Sequence, residues 1–299
     1  MSGTAHCDAR PPFLGKIDLG TLKRHKEARR GWYPKANAKH PARMVVELAR
    51  WGILQYSTAG DWVLDPMAGI GTTGVEALKL GRRCAMLELE PSWAALARDA
   101  AMHTFLHCRN EEHEEDWVWA RQGNAKELHW LLPGAITPRL TYFSIPFGPT
   151  GHHPGKTSKM QAHLIKSLHL TGAHNEYGTT EGQIGQNNRR YGHVERALNG
   201  DDEHNRKGRP SFLWEMLLIL TSVAACAEGT VLVHLKNFVL KHELVRLDND
   251  TILLAEDCDL KYRGYWLRPI RPGFFQMMHK KKNPAYPLVQ YETVLVFDA

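Results

Sequence analysis

Residues 62–91 contain the pattern that most constrains the fold of this chain. A short apolar run, Trp62 to Leu64, ends in Asp65 and is followed by a small-residue loop with two glycines. A segment of helical character comes next, and a second apolar run then ends in Glu88. A strand, a glycine turn, a helix and an acid-tipped strand form the βαβ unit that binds a nucleoside-bearing cofactor at the carboxyl edge of a parallel sheet.

The loop between the first strand and the helix reads DPMAGIGT. Its glycines Gly69, Gly71 and Gly74 fit the G-x-G-x-x-G spacing of dinucleotide sites, so a nicotinamide cofactor is one alternative. Asp65 argues against it, because a carboxylate at the loop entrance is a poor neighbour for an anionic pyrophosphate. At Glu88, a carboxylate can accept hydrogen bonds from both hydroxyls of a ribose.

The loop resembles the D-P-F-x-G-x-G-T motif of the S-adenosylmethionine-dependent amino-methyltransferases, which methylate exocyclic amines of bases in DNA. In that family the acid that begins the motif, at the position of Asp65, lies near the cationic methionine end of the cofactor. A segment like His40-Pro41 helps enclose the methionine moiety, and an acid at the position of Asn124 binds the adenine amino group, which an amide oxygen can also accept. The resemblance assigns these residues to S-adenosyl-L-methionine: His40, Pro41, Asp65, Pro66, Met67, Gly69, Gly71, Thr72, Glu88 and Asn124.

A second motif, Ser144-Ile145-Pro146-Phe147, follows another apolar run and resembles the family's S/D/N-P-P-Y/F/W motif. An aromatic amine is a poor nucleophile, and two acceptors, the Ser144 hydroxyl and the Ile145 carbonyl, favour its reactive pyramidal form. Pro146 keeps the loop rigid, and Phe147 stacks on the extruded base. Ile145 replaces the family's first proline, so rigidity must come from packing, and Ile145→Pro is expected to preserve or raise activity.

Serine at the first motif position usually accompanies cytosine-N4 chemistry in the resembling family, whereas Asp or Asn accompanies adenine-N6 chemistry. We therefore expect a DNA methyltransferase acting on cytosine N4. Three alternatives stay open: an adenine-N6 enzyme, a tRNA guanine-N2 enzyme that shares a D-P-M-x-G-x-G loop, and a nucleic-acid-binding protein that retains the cofactor pocket without catalysis.

Alternating apolar runs and helical segments predict a seven-stranded Rossmann-like α/β sheet, mostly parallel with an antiparallel C-terminal strand. The strands are expected at about 62–65, 83–89, 118–121, 139–143, 230–235, 264–270 and 291–297. Helices are expected at 41–56, 93–107, 212–227 and 241–257. Residues 1–148 and 211–299 would form the catalytic domain, and the polar segment 149–210 an insertion that reads the target.

DNA is the expected partner, because the formal net charge is +6 and basic residues concentrate near both ends of the chain. We expect Arg189 and Arg190 to discriminate bases, and Lys280, Lys281 and Lys282 to grip phosphates. The insertion's histidines have no compact ligand spacing, so no metal is expected. Scattered cysteines and the lack of an apolar leader or a long apolar stretch predict a cytoplasmic, membrane-free protein. Neither a restriction endonuclease partner nor an oligomeric state can be read from the sequence.

Overall fold

The computed structural model describes residues 12–19, 28–34, 44–108, 113, 116–145, 191–203, 210–240, 242–272 and 274–299. The strands within these residues are β1 (Phe13–Lys16), β2 (Trp62–Asp65), β3 (Arg83–Glu88), β4 (Val118–Gln122), β5 (Pro138–Ser144), β6 (Thr230–Leu235), β7 (Phe238–Leu240), β8 (Glu243–Val245), β9 (Lys261–Pro269) and β10 (Tyr291–Asp298). The α-helices are α1 (Val46–Tyr56), α2 (Thr72–Lys79), α3 (Pro91–Cys108), α4 (Leu128–Leu131), α5 (Val194–Leu198), α6 (Phe212–Ala224), α7 (Leu247–Asp257) and α8 (Phe274–Lys282).

Eight strands form one sheet in the order β1-β9-β10-β6-β5-β2-β3-β4, and β7 and β8 form a separate hairpin. β2 to β6 run parallel to one another, and β10 runs antiparallel to both β6 and β9. The expected fold class is therefore confirmed, including the antiparallel C-terminal strand. The sheet has one strand more than expected, because β1 pairs in parallel with β9 and forms a new edge.

The sheet is covered on both faces, which explains why its strands read as nearly continuous apolar runs. Alternate residues of each strand point to opposite faces. Tyr142 and Val294 belong to the apolar cluster that includes residues of α1, α2 and α3. Their neighbours Phe143 and Leu295 belong to the second cluster, which includes residues of α4, α6 and α7. We call these the first and second faces of the sheet.

Three expectations for helices need correction. The helix expected at 241–257 begins only at Leu247, because residues 243–245 pair with β7 in a hairpin. His242 turns that hairpin with a φ of 71°, a left-handed conformation outside the helical region. The helix expected from residue 41 begins at Val46, and the helix expected at 212–227 ends at Ala224.

The described end of the expected insertion packs on the second face. Tyr191 stacks on Phe212 with ring centroids 5.8 Å apart, and its carbonyl accepts the Leu213 N–H at 3.0 Å. Ala197 in α5 is fully buried in the second-face core. Residues 191–203 are thus structurally part of the sheet's helical cover. Within the described part of the chain, every helix is too short or too polar to cross a bilayer.

Candidate active site

The glycine loop lies at the carboxyl end of β2, as the sequence predicts. Gly71 caps the N-terminus of α2 with a φ of 78°, a left-handed conformation that favours glycine. A Cβ at this position would lie 3.2 Å from both the Ala97 Cα and the Met86 sulfur. In this structure Gly71 is therefore required for the turn and for the close approach of α3.

Asp65 is the last residue of β2 and is 4% exposed. One of its carboxylate oxygens accepts the Met67 N–H at 3.0 Å, which closes the turn through Pro66. Burial raises the pKa of Asp65 to about 7, although hydrogen bonds from the Thr73 hydroxyl and from Met67 oppose the rise. A buried carboxyl group of this kind favours a nearby cation, which would restore its charged form.

Glu88 is the last residue of β3 and holds the loop in place. One carboxylate oxygen accepts the Gly69 N–H at 2.7 Å, and the other accepts the Glu90 N–H at 3.0 Å. Burial raises the pKa of Glu88, and these backbone hydrogen bonds oppose the rise. Each oxygen has a second lone pair, so the carboxylate can still accept two hydroxyl groups of a ligand.

These two acids fit the chemistry of S-adenosylmethionine. Asp65 and Glu88 are close enough for the charge of Glu88 to contribute to the raised pKa of Asp65. A cofactor with a cationic end and a ribose diol would place a positive charge beside one carboxylate and two hydroxyls beside the other. The remaining described candidates follow two strands: Pro66, Met67, Gly69, Gly71 and Thr72 come after β2, and Asn124 comes after β4.

Two of those candidates already have partners within the protein. The Asn124 side-chain oxygen accepts the Lys126 N–H at 3.1 Å, so it caps the short helical turn after β4. The Thr72 hydroxyl accepts a hydrogen bond from Arg29 at 3.0 Å. The same Arg29 nitrogen also donates to the Met44 carbonyl at 2.6 Å. Arg29 thus lies at the N-terminus of α2, and the sequence reading did not single it out.

Ser144 ends β5 at the same carboxyl edge, on the first face of the sheet. The next residue, Ile145, is 1% exposed and packs into the second-face core. Its N–H donates to the His234 carbonyl at 3.0 Å, a hydrogen bond that a proline could not make. Packing and this hydrogen bond hold the position where the family has proline, and Ile145→Pro would remove the hydrogen bond. The expectation that the variant preserves or raises activity stays a prediction.

Four adjacent strands place a row of polar side chains at this edge. The Ser144 hydroxyl lies 3.0 Å from His234 Nδ1, and His234 Nε2 lies 3.2 Å from a Glu292 carboxylate oxygen. Arg268 donates to that same oxygen. The row lies beside the acidic pair, because β5, which carries Ser144, pairs in parallel with β2, which carries Asp65.

The sequence motifs did not predict His234, Glu292 and Arg268 as site residues. Each lies at the carboxyl-edge end of a strand, and a polar residue in that position is the signal that singled out Ser144. Lys236 follows β6 at the same edge, and burial lowers its pKa while Glu292 opposes the shift. Its cationic form is therefore less favoured than that of an exposed lysine.

Lys280, Lys281 and Lys282 form the last turn of α8. Aromatic contacts tie this helix to the β7–β8 hairpin that follows β6, since His279 stacks on Tyr286 at 5.1 Å and His242 meets Tyr286 edge-on at 5.8 Å. The lysines are therefore held near the edge that carries Ser144. Six candidates lie outside the described residues: His40, Pro41, Pro146, Phe147, Arg189 and Arg190.

Residues 17–99 match the family model N6_N4_Mtase, described as DNA methylase. The chain is 42% identical over 60 residues to the type II methyltransferase M2.DpnII of Streptococcus pneumoniae. It is 44% identical over 52 residues to the type II methyltransferase M.SmaI of Serratia marcescens. These matches cover 20% and 17% of this chain, and 22% and 18% of the two relatives.

Among solved structures, a TehB-like S-adenosylmethionine-dependent methyltransferase from Corynebacterium glutamicum aligns with 91% of this chain and 96% of its own. The TM-score is 0.43 and the identity 11%, so the fold assignment depends on the sheet order of this chain itself. The family match contains Asp65, the glycine loop and Glu88. Residues 17–99 are thus similar to the DNA methylases that this family model describes, and the two relatives are similar to short segments of this chain.

Proposed function

We propose that this chain is an S-adenosylmethionine-dependent DNA methyltransferase that modifies the exocyclic N4 amine of cytosine. One observation carries the proposal. Asp65, Glu88 and Ser144 occupy the ends of three neighbouring parallel strands, β2, β3 and β5, at one edge of the sheet and on one face. A methyl donor held by the acids and an amine held by Ser144 would thus meet at this edge.

Separate residues would bind the methyl donor and the target amine. When bound, S-adenosylmethionine supplies an electrophilic methyl group on a sulfonium centre. Asp65 offers the carboxylate beside the cationic end, and Glu88 orients the ribose. Ser144 and the Ile145 carbonyl accept the two N–H bonds of the target amine, which favours the nitrogen geometry that attacks in line.

DNA binding fits the groups around Ser144. A base reaches this edge only after leaving the stack, and Phe147 would stack on the extruded base. The three lysines of α8 supply positive charge for backbone phosphates, which gives an affinity that falls as salt concentration rises. Arg189 and Arg190 remain the proposed base-reading pair.

Cytosine is favoured over adenine because Ser144 is a neutral acceptor, which accompanies N4 chemistry in the resembling family. The alternatives are an adenine-N6 enzyme, a tRNA guanine-N2 enzyme and a non-catalytic binder. The non-catalytic alternative depends on Ile145, which replaces the first proline of the family's catalytic motif. The burial of Ile145 and its hydrogen bond to the His234 carbonyl hold this position without a proline, which weighs against that alternative.

The test is methyl transfer from tritium-labelled S-adenosylmethionine to three substrates: genomic DNA free of cytosine-N4 and adenine-N6 methylation, a random-sequence duplex pool and total tRNA. Digestion to nucleosides then identifies the product. We expect N4-methylcytosine from DNA. N6-methyladenine would support the adenine alternative. N2-methylguanosine from tRNA would show that the substrate is RNA and not DNA. Cofactor binding without transfer to any substrate would leave the non-catalytic alternative.

A further inference from the structure

The row at the carboxyl edge forms a continuous hydrogen-bond chain. Ser144, His234, Glu292 and Arg268 come from β5, β6, β10 and β9, which are consecutive neighbours in the sheet. His234 is 4% exposed, so the protein fixes the position of its ring. Its two nitrogens have different partners, the Ser144 hydroxyl at Nδ1 and the Glu292 carboxylate at Nε2.

The direction follows from the charge of Glu292. Burial would raise the pKa of Glu292, but the hydrogen bonds that it accepts and the charge of Arg268 lower this pKa to about 2. An ionised carboxylate only accepts hydrogen bonds, so when the His234 ring is neutral, Glu292 holds its hydrogen on Nε2. Nδ1 then carries a lone pair and accepts the hydroxyl hydrogen of Ser144. The lone pairs of the Ser144 oxygen are left for another donor.

This direction matters for an amine substrate. The amine presents N–H bonds, so the Ser144 oxygen must accept. With the hydroxyl hydrogen directed at His234, Ser144 has no hydrogen to point at the amine. In hydrolase triads, likewise, the serine hydroxyl donates to one nitrogen of the histidine, and the other ring nitrogen donates to a carboxylate.

The reaction also releases a proton. The amine nitrogen forms a bond to the methyl carbon, the carbon–sulfur bond breaks, and its electron pair remains on sulfur. The methylated amine then carries one proton too many. That proton can pass to the Ser144 oxygen while the Ser144 hydrogen passes to His234 Nδ1, which leaves an imidazolium beside Glu292. Exchange with solvent later restores the neutral ring.

We propose that His234, held by Glu292 and Arg268, positions the Ser144 hydroxyl as an acceptor for the target amine and receives the proton that the amine releases. His234 is a positioning residue, because it acts through Ser144. The inference deepens the proposed function and depends on it for the identity of the amine.

Two variants of His234 separate the two roles. In His234→Asn the amide oxygen occupies the place of Nδ1, so it can accept the Ser144 hydrogen but cannot take up the proton. In His234→Ala both roles are lost. His129→Asn is the matched control, because His129 Nδ1 lies 2.7 Å from the Ser222 hydroxyl in an equivalent pair between α4 and α6.

The rate of a single round of methyl transfer to DNA and the affinities for cofactor and DNA are measured for each variant. We expect His234→Ala to slow transfer by about 10²-fold or more, the scale of a general base. His234→Asn should lose less, His129→Asn should keep the wild-type rate, and all affinities should be unchanged. An unchanged rate in His234→Ala would overturn the proposal. So would losses of affinity as large as the loss of rate, because they would indicate a merely structural role.

A spectroscopic measurement tests the same chain without activity. Nitrogen-15 NMR of the ligand-free protein, with the His234 signals assigned by comparison with His234→Asn, reports which ring nitrogen carries the hydrogen. We expect it on Nε2 in the wild type and on Nδ1 in a substantial fraction of Glu292→Gln, whose amide can donate. Hydrogen on Nδ1 in the wild type would overturn the proposal. If the wild type methylates no DNA, the proposed function fails, and the NMR result still decides the orientation of Ser144.

Discussion

The two halves of the carboxyl edge are built in different ways. The donor half, at the ends of β2 and β3, consists of Asp65, the glycine loop and Glu88, and all its parts lie within residues 65–88. The acceptor half consists of Ser144, His234, Glu292 and Arg268, whose strands lie far apart in sequence and adjacent in the sheet. Two acids characterise the donor half, whereas neutral and cationic side chains surround one ionised acid in the acceptor half.

This difference suggests that the two halves have separate roles, one toward the cofactor and one toward the substrate. In the proposed function the donor half binds S-adenosylmethionine; it is a contiguous segment that lies within the family match over residues 17–99. The acceptor half would bind the target amine, and it lies outside that match. Variants in the two halves should therefore fail in different ways, and five predictions test that separation.

The largest effect is expected in the acceptor half. Ser144→Ala should lower methyl transfer by about 10²–10³-fold, the scale for removing one transition-state hydrogen-bonding group, and should leave cofactor affinity unchanged. Tritium transfer and calorimetry measure the two quantities. Ser222→Ala is the control, since Ser222 bonds His129 away from this edge. Full turnover in Ser144→Ala would remove the serine from the mechanism.

Ile145→Pro should destabilise the fold. It breaks the hydrogen bond to the His234 carbonyl and replaces a buried side chain, at a combined cost of about 2–4 kcal/mol. Urea unfolding measures the free energy, and Ile145→Val should cost only about 0.5–1.5 kcal/mol. Stability equal to wild type in the proline variant would mean that the family's proline can be accommodated here after all.

In the donor half, Glu88→Ala should weaken cofactor binding by about 1–3 kcal/mol, the scale of hydrogen bonds to a charged group. Part of the loss should come from the loop, because Glu88 also holds the Gly69 N–H. Calorimetry measures the affinity, and Glu88→Gln, which keeps an acceptor oxygen, should lose less. Unchanged affinity in a folded Glu88→Ala protein contradicts the ribose role.

Asp65 should make the cofactor-free protein less stable as pH rises. Its folded pKa of about 7 lies above the value of 3.8 for an exposed group, so the folded state retains a proton that the unfolded state releases. Stability should fall between about pH 4 and pH 7, by roughly 1 kcal/mol per pH unit. Urea unfolding across this range compares wild type with Asp65→Asn, which should show a flatter profile. Parallel profiles would mean that Asp65 is ionised in the folded state.

The smallest effect per residue is expected from the α8 lysines. Replacing Lys280, Lys281 and Lys282 with glutamine should weaken binding to all DNA sequences alike and reduce the salt slope by up to about 0.9 per lost phosphate contact. Lys261→Gln is the control, because Lys261 begins β9 at the opposite edge. Replacing Arg189 and Arg190 should instead reduce the difference in binding affinity between cognate and random DNA. A change of sequence preference in the lysine variant would reverse the two roles.

Much of the donor half could be predicted from sequence because its interactions are local. The alternation of strand, glycine turn, helix and strand has one compact solution, and an acid at a strand end must lie at the carboxyl edge. The same reasoning placed Ser144 at that edge. It could not show that Glu88 bonds to the loop amide, or that Gly71 is required by the approach of α3.

The sequence by itself determined the fold class, the glycine loop and the polar ends of the strands at the edge. Only the tertiary structure decided which of those ends are neighbours, because sheet order and register follow from the packing of helices on both faces. It joined His234, Glu292 and Arg268 to Ser144, placed β1 at the edge of the sheet, and fixed Ile145 through burial and a backbone hydrogen bond. Contacts between residues so far apart in sequence arise from three-dimensional packing, which local patterns do not encode.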